Sequence, residues 1–331
     1  MRLHSCFVAL ILMAASSGCA DRTDKDLTTL KVLLDWKPQM EQIGFFAAQH
    51  NGYYRKSGFH VELHPGNGAT STATIVAQGS FPVGMSSGGA TIIVCSKGAD
   101  LVSVAVVNQH SPVVIYSLKE TGIASPSDLV GKKLGLTPSG VKYWEYVALI
   151  RALWIDRSAI DEVSIGKAIS PLLSGQVDAL LGYTQDQPVL VEMQGHEVSR
   201  MAMADYGVDL VSTNLIVNRS ALTADSVVIG DFVRATLKGY SWATANPDSA
   251  VAIYSAAHPE TDRDFNRENF KQLQPILSSP LTDSLGLGWH NMAHWRRTEQ
   301  ILRDQQIITN EVDVEQITTD RFLSAAPEPA E

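Results

Sequence analysis

The chain has 331 residues, 45% of them hydrophobic and 18% charged, with a formal net charge of −9. This balance belongs to a globular protein with a sizeable core and excludes a disordered one. The acidic excess excludes a phosphate-backbone partner, which requires a basic face, so no nucleic acid is expected.

The amino end reads as an address. Arg2 precedes the apolar run Phe7–Ala15, FVALILMAA. A bilayer span needs about 20 residues, so this run is an export signal rather than structure. Ser16, Ser17 and Gly18 then lead directly to Cys19, the arrangement in which the thiol is lipidated and becomes the new N-terminus. Ser16 stands where such boxes usually carry Leu; ordinary signal cleavage nearby, giving a soluble exported protein, is the alternative. Residues 1–18 are thus the signal, and 19–29 a lipid-anchored tether. No later stretch is apolar enough to cross a membrane again. Cys6 leaves with the signal and Cys19 takes the lipid, so Cys95 remains alone, without an intrachain disulfide. In ATIIVCSKG it reads as a buried small hydrophobe.

Along the mature chain the first predicted strand is Leu30–Asp35, closed by Trp36-Lys37-Pro38. A helix over Ile43–Asn51 ends at Gly52. Strand Phe59–Leu63, helix Ala69–Gln78, strand Phe81–Met85, helix Ala90–Ser96 and strand Leu101–Val107 follow, then strand Val113–Leu118. A second series begins at Ser125-Pro126, a helix start with Pro in its first turn. It continues with strand Lys133–Leu136, helix Val141–Trp154, a strand around Val163, helix Ile169–Ser174, strand Val177–Leu181 and helix Gln187–Gln194. After a strand at Leu215–Val217 the pattern is helical: Val227–Asn246, Asp248–Ala257, Asp264–Leu277 and Asn291–Asp304. Strands alternating with helices predict an α/β fold with parallel sheets covered on both faces. His290 and His294 read as a surface-helix pair rather than a metal site. No metal, nucleotide-binding or nucleophile motif is present, and no cofactor is expected.

Six stretches in order carry a resemblance: LKVLLDWKP; Phe45–Val61 with Gly52, Tyr53, Tyr54 and Gly58; Ala77-Gln78-Gly79 with Val83-Gly84-Met85; Asp128–Lys133 with Gly135; Gly175 with Val177-Asp178-Ala179 and Gly182-Tyr183; and Ala204–Gly207. The chain resembles ABC-importer solute-binding proteins of the subgroup that includes yeast-type thiamine-pyrimidine synthases (NMT1/THI5-like). It looks most like the lipoproteins that capture formylaminopyrimidine. The resemblance implies a two-lobe periplasmic-binding-protein type II fold with two hinge crossings. Lobe 1 is expected to comprise 30–114 plus 215–322, lobe 2 to comprise 115–214, and 323–331 to form a tail. It also implies capture of a small molecule by hinge closure and delivery to a permease with its ATPase. The protein would be a monomer, held at the membrane by its lipid, and not an enzyme.

Ligands of open α/β sheets sit beyond the carboxyl ends of the strands, which selects the candidates. In the first lobe these are Trp36 for stacking, Asn67, Gly68 and Thr70 at a helix start, Ser86 and Ser87, and Asn108. In the second they are Ser139 and Gly140 at a helix start, Tyr143 one turn in, and Tyr183. Asp205 and Tyr206 enter by resemblance only. Where the formylaminopyrimidine binders carry a Glu four residues after the Tyr, this chain has Gln187, with Asp186 beside it. Lys37 and Lys142 are the cations expected near the cleft. Core, cap and turn roles remain open for these residues. A sulfonate- or nitrate-type anion is the alternative ligand. A pyrimidine-synthase-like enzyme, disfavoured because those synthases carry a Cys-rich cluster, and a periplasmic sensor are the remaining readings.

Overall fold

The computed structural model describes residues 27–323. The expected signal, the expected lipid anchor at Cys19 and most of the expected tether and tail lie outside the described residues. Among the described residues there are ten strands: β1 (Thr28–Leu33), β2 (Phe59–His64), β3 (Val83–Ser87), β4 (Leu101–Val106), β5 (Val113–Leu118), β6 (Lys133–Leu136), β7 (Asp161–Ser164), β8 (Ala179–Tyr183), β9 (Val198–Ala202) and β10 (Thr213–Asn218). They form two five-stranded sheets, ordered β2-β1-β3-β10-β4 and β7-β6-β8-β5-β9.

One strand in each sheet runs against the others. β10 is antiparallel to β3 and β4, and β5 is antiparallel to β8 and β9. These are the two strands reached by the crossings. The chain leaves the first sheet after β4, and it returns after β9 directly into the middle of that sheet. β5 therefore lies wholly in the second sheet and β10 wholly in the first. Val113 and Val114, expected in lobe 1, belong to the second sheet; Thr213 and Asn214, expected in lobe 2, belong to the first. Thr28 and Thr29, expected in the tether, already pair with Phe59 and His60.

Both faces of each sheet are covered, which explains the near-continuous apolar runs. In β5, Val113 and Ile115 join one buried cluster while Val114, Tyr116 and Leu118 join another. That is the two-residue strand period, with a core on either side. In the first sheet Leu215 and Val217 face the helices Ile43–His50 and Ser226–Ala245, and Ile216 faces the opposite layer. The late helices Pro247–Ala257, Arg263–Leu277 and Met292–Asp304 fall close to their expected bounds. Ile301 of the last one enters a core cluster of the second sheet, so this helix touches both halves.

Several short elements escaped the sequence pattern, among them the helices Tyr53–Lys56 and Arg219–Ala224, the strand β9 and the helix Pro280–Leu285. β9 is an edge strand with only Met201 buried, too little apolar signal to mark it. The short helix Pro280–Leu285 is set by a capping box of Ser279 and Thr282. The histidine reading also changes. His290 precedes the helix Met292–Asp304, is buried, and bonds Ser103 and Asp320; His294 bonds the Asp209 carbonyl. Among the described residues no group of His, Cys, Asp or Glu is placed to hold a metal, and no helix is long and apolar enough to cross a membrane. Cys95 is free and half-buried, its thiol pushed up to about 11 by burial.

Candidate functional site

The two connecting segments, 107–112 and 207–212, run side by side. Val107 and Asn108 donate backbone N–H groups to the Thr213 carbonyl at 2.7 and 3.0 Å, and the Ser111 N–H donates to the Asp209 carboxylate at 2.7 Å. In front of them lies a cavity of about 550 Å³ lined from both halves. That is ample for a small heterocycle.

The cavity walls follow from local sequence. Just past β1, beyond Leu34, Asp35 and Trp36 reach the cavity from the first half. The helix Ala69–Ala77 starts behind Gly68, at φ +108°, and the helix Val141–Ala152 starts behind Gly140, at φ +81°. Glycine takes such angles without strain. The two turns bring Asn67, Gly68 and Thr70 from one side, and Ser139 and Gly140 from the other, to the same space. Ser87, at the end of β3, also lines it while capping the next helix by accepting from Ala90 N–H at 3.2 Å. Tyr183, the last residue of β8, supplies a second ring. Eight of the fourteen candidate side chains thus meet at one cavity.

The other six do not line it. Ser86 points to the opposite side of β3 and donates to the Ala69 carbonyl at 2.9 Å. Asn108 is fully buried and acts indirectly: its amide donates to Glu41 at 2.7 Å and to Thr213 at 3.1 Å. On the helix Val141–Ala152, Val141, Trp144 and Glu145 turn one face to the cavity at i, i+3, i+4 spacing. Tyr143 falls off that face; its hydroxyl accepts from Arg157. Gln187 is buried, and its side-chain oxygen accepts from the Tyr183 N–H at 3.5 Å. Asp205 lines a second cavity, of about 410 Å³, next to the connecting segments, and Tyr206 packs on the second-sheet core.

Sequence reasoning missed most of the charge. Asp35, Glu41, Glu145 and Asp186 all line the cavity, with Lys142 and Lys167. Lys37 is exposed and does not. Glu145 could have been found, because it lies four residues beyond Val141 on a helix that opens at the site. Glu41 could not, because its place depends on the turn Met40–Gln42 and on Tyr240, whose hydroxyl donates to the Glu41 carbonyl at 2.8 Å.

Burial sets the chemistry of these groups. It pushes Glu41 up to about 8, aided by the neighbouring Asp35 and Asp186 charges and opposed by hydrogen bonds from Thr213 and Asn108. Burial raises Asp35 to about 6, raises Asp186, and lifts Glu145 well above the usual range despite the Ser111 hydroxyl donated to it at 2.6 Å. Lys142 is lowered to about 8 by burial and by Lys167. Both ammonium groups rest on rings: Lys167 lies 4.0 Å from the Trp36 ring centroid, and Lys142 4.6 Å from that of Tyr183. The first contact bridges the halves. The arrangement offers two aromatic faces, helix-start N–H groups, and carboxyls of which Asp35 and Glu41 switch between donor and acceptor near neutral pH.

Comparison with known proteins agrees with this architecture. The chain is 27% identical over 284 residues to the formylaminopyrimidine-binding protein of Halalkalibacterium halodurans, covering 85% of this chain and 84% of that one. It is 23% identical over 317 residues to riboflavin-binding protein RibY of Chloroflexus aurantiacus, covering 94% and 90%. More distant relatives include proteins named 4-amino-5-hydroxymethyl-2-methylpyrimidine phosphate synthase, one of them from Legionella pneumophila, 24% identical over 302 residues, with 89% and 92% covered. Among solved structures, the periplasmic aliphatic sulphonate binding protein SsuA from Escherichia coli superposes with a TM-score of 0.70 at 15% identity, covering 87% of this chain and 96% of that one. The fold is therefore the two-lobe periplasmic-binding-protein type. Residues 39–250 match the family model described as NMT1/THI5 like, and the chain belongs to that family.

Proposed function

We propose that the protein is the extracytoplasmic solute-binding component of an ABC importer, anchored by lipid on Cys19, and that it captures a small planar heterocycle without altering it. The observation that carries this reading is one cavity at the junction of the halves with a ring from each, Trp36 and Tyr183. A flat ligand stacked on such a ring gains about 0.5–1.5 kcal/mol beyond area burial. The paired crossings supply a hinge. The names of two relatives, a formylaminopyrimidine binder and a riboflavin binder, support a planar nitrogen heterocycle as the solute class. A permease and its ATPase are the implied partners, with the protein acting as a monomer.

Lys142 and Lys167 in the same cavity favour a second reading, a sulfonate- or nitrate-type anion. Four carboxyls in that space oppose it. An enzyme reading draws on the synthase relatives; against it, Cys95 is the single cysteine among the described residues, where those synthases are expected to carry a cluster. Calorimetric titration of the mature protein with formylaminopyrimidine, riboflavin, an alkanesulfonate and nitrate separates the readings. Saturable binding of a heterocycle, recovered unchanged, is expected. Binding confined to the anions, or conversion of the heterocycle to product, contradicts the proposal.

A further inference from the structure

The cavity holds more carboxyl groups than its own cations can answer. Asp35, Glu41, Glu145 and Asp186 line it, and none of the four forms an ion pair among the described residues. The two lysines of the cavity lie on ring faces instead. Carboxylates drawn out of water need a positive or donor-rich partner. Alone, these groups answer burial by holding their protons more tightly; a guest with a positive or donor-rich edge would be such a partner.

Glu41 is the best built of the four. One of its oxygens, Oε1, accepts from Asn108 Nδ2 at 2.7 Å and from the Thr213 hydroxyl, and its own backbone carbonyl is held by Tyr240. The carboxyl is thereby fixed in place, and Oε2 has no hydrogen-bond partner among the described residues. The ionisable groups that act on it are Asp35, Asp186, Tyr183 and Tyr240, from both halves of the molecule. A second observation points independently to a ligand. Gln185 lines the same cavity, is 5% exposed, and its Oε1 is buried without a hydrogen-bond partner among the described residues. An acceptor left unpaired there costs about 1–3 kcal/mol unless a donor arrives. A fixed carboxyl on one side of the cavity and an unpaired buried acceptor on the other fit a guest whose edge is made of N–H groups.

We propose that Glu41 determines specificity by pairing with a protonated amidine-type edge, an amino group conjugated to a ring nitrogen as in an aminopyrimidine, with Gln185 accepting from the same guest. This rests on the heterocycle reading above and narrows it. The pair is a two-point, charge-assisted contact: the amino N–H and the ring N–H both donate to the carboxylate. The proton on the ring nitrogen comes from the Glu41 carboxyl, whose O–H bond breaks as the ring N–H bond forms, so no other donor is needed. Gln187, where the resemblance leads one to expect the carboxylate, is turned into the fold, and Glu41 on the opposite half takes up that task.

The test uses formylaminopyrimidine and its analogue with an oxo group in place of the ring amino group, which cannot form the amidinium edge. With the mature wild-type protein at pH 7.5, the amino compound is expected to bind at least tenfold more tightly than the oxo compound. The ultraviolet spectrum of the bound ring should be that of its protonated form. In Glu41→Gln the preference should fall by about tenfold, and the bound ring should show its neutral spectrum. Equal affinity for the two rings, or a neutral bound spectrum in the wild type, overturns the inference; the wild-type spectrum decides even if the variant folds poorly. Those results leave heterocycle capture standing. Failure of both pyrimidines and riboflavin to bind, with an alkanesulfonate binding, overturns both readings together.

Discussion

Trp36 stands at the boundary between core and cleft. It is half-buried, lies three residues beyond the end of β1, and carries the Lys167 ammonium on its face. Replacing it with Ala removes stacking and ring burial from the guest, and tenfold in affinity corresponds to only about 1.4 kcal/mol. Trp36→Ala is therefore expected to weaken heterocycle binding at least tenfold while the melting temperature of the ligand-free protein hardly moves. A collapse of that melting temperature would make Trp36 a core residue. Glu41 gives a pH prediction. Its pKa near 8 in the folded chain lies above its ordinary value, so the folded state holds the proton more tightly than the unfolded state. Its contribution to stability is full below about pH 4.5 and is lost as pH rises toward 8. Thermal melts of ligand-free protein between pH 5 and 8.5 should show wild type losing stability relative to Glu41→Gln, which cannot ionise. Parallel pH profiles would deny the burial of that carboxyl. At this scale the sequence was legible where a residue ends a strand, as Tyr183 does, or follows it closely, as Trp36 does. It was not legible for Glu41 or Lys167, whose positions depend on a turn and a loop placed by distant elements.

The helix starts do most of the assembly at the next scale. The helix Val141–Ala152 can show Val141, Trp144 and Glu145 to the cavity because Gly140 turns the chain at φ +81°, ψ 179°. A side chain at such an angle costs about 1–3 kcal/mol. Gly140→Ala should lower stability in chemical denaturation by that amount and weaken ligand binding severalfold, because the helix start must shift. Unchanged stability would show that the turn accepts a side chain. Both glycine turns were readable from sequence, since Gly before a helix after a strand is a positional signal. The edge strand β9 was not, because a strand with one buried residue leaves no alternation to detect. His290 and His294 misled for the opposite reason: their spacing suits a helix, but His290 lies before the helix begins and is buried beside Ser103.

Across the whole molecule, two crossings decide the design. Because the chain leaves the first sheet after β4 and returns in β10, each sheet receives one antiparallel strand, and both connecting segments lie beneath the same cavity. The pattern of alternating strands and helices was enough to predict two α/β series. The crossing points were displaced by two residues because the apolar run of β5 begins at Val113, with nothing in its composition to mark which sheet it joins. Lys167 from one half covers the Trp36 ring of the other. On the proposed reading a flat guest takes that face, which makes capture and displacement of the lysine one event. A crystal structure of the mature protein with formylaminopyrimidine tests this most directly. The account predicts the ring lying on the Trp36 indole within the cleft, its amino edge at Glu41, and the Lys167 ammonium moved off the indole. A ring bound outside the cleft, or one in the cleft with Lys167 still on the indole and no contact to Trp36 or Tyr183, would contradict it.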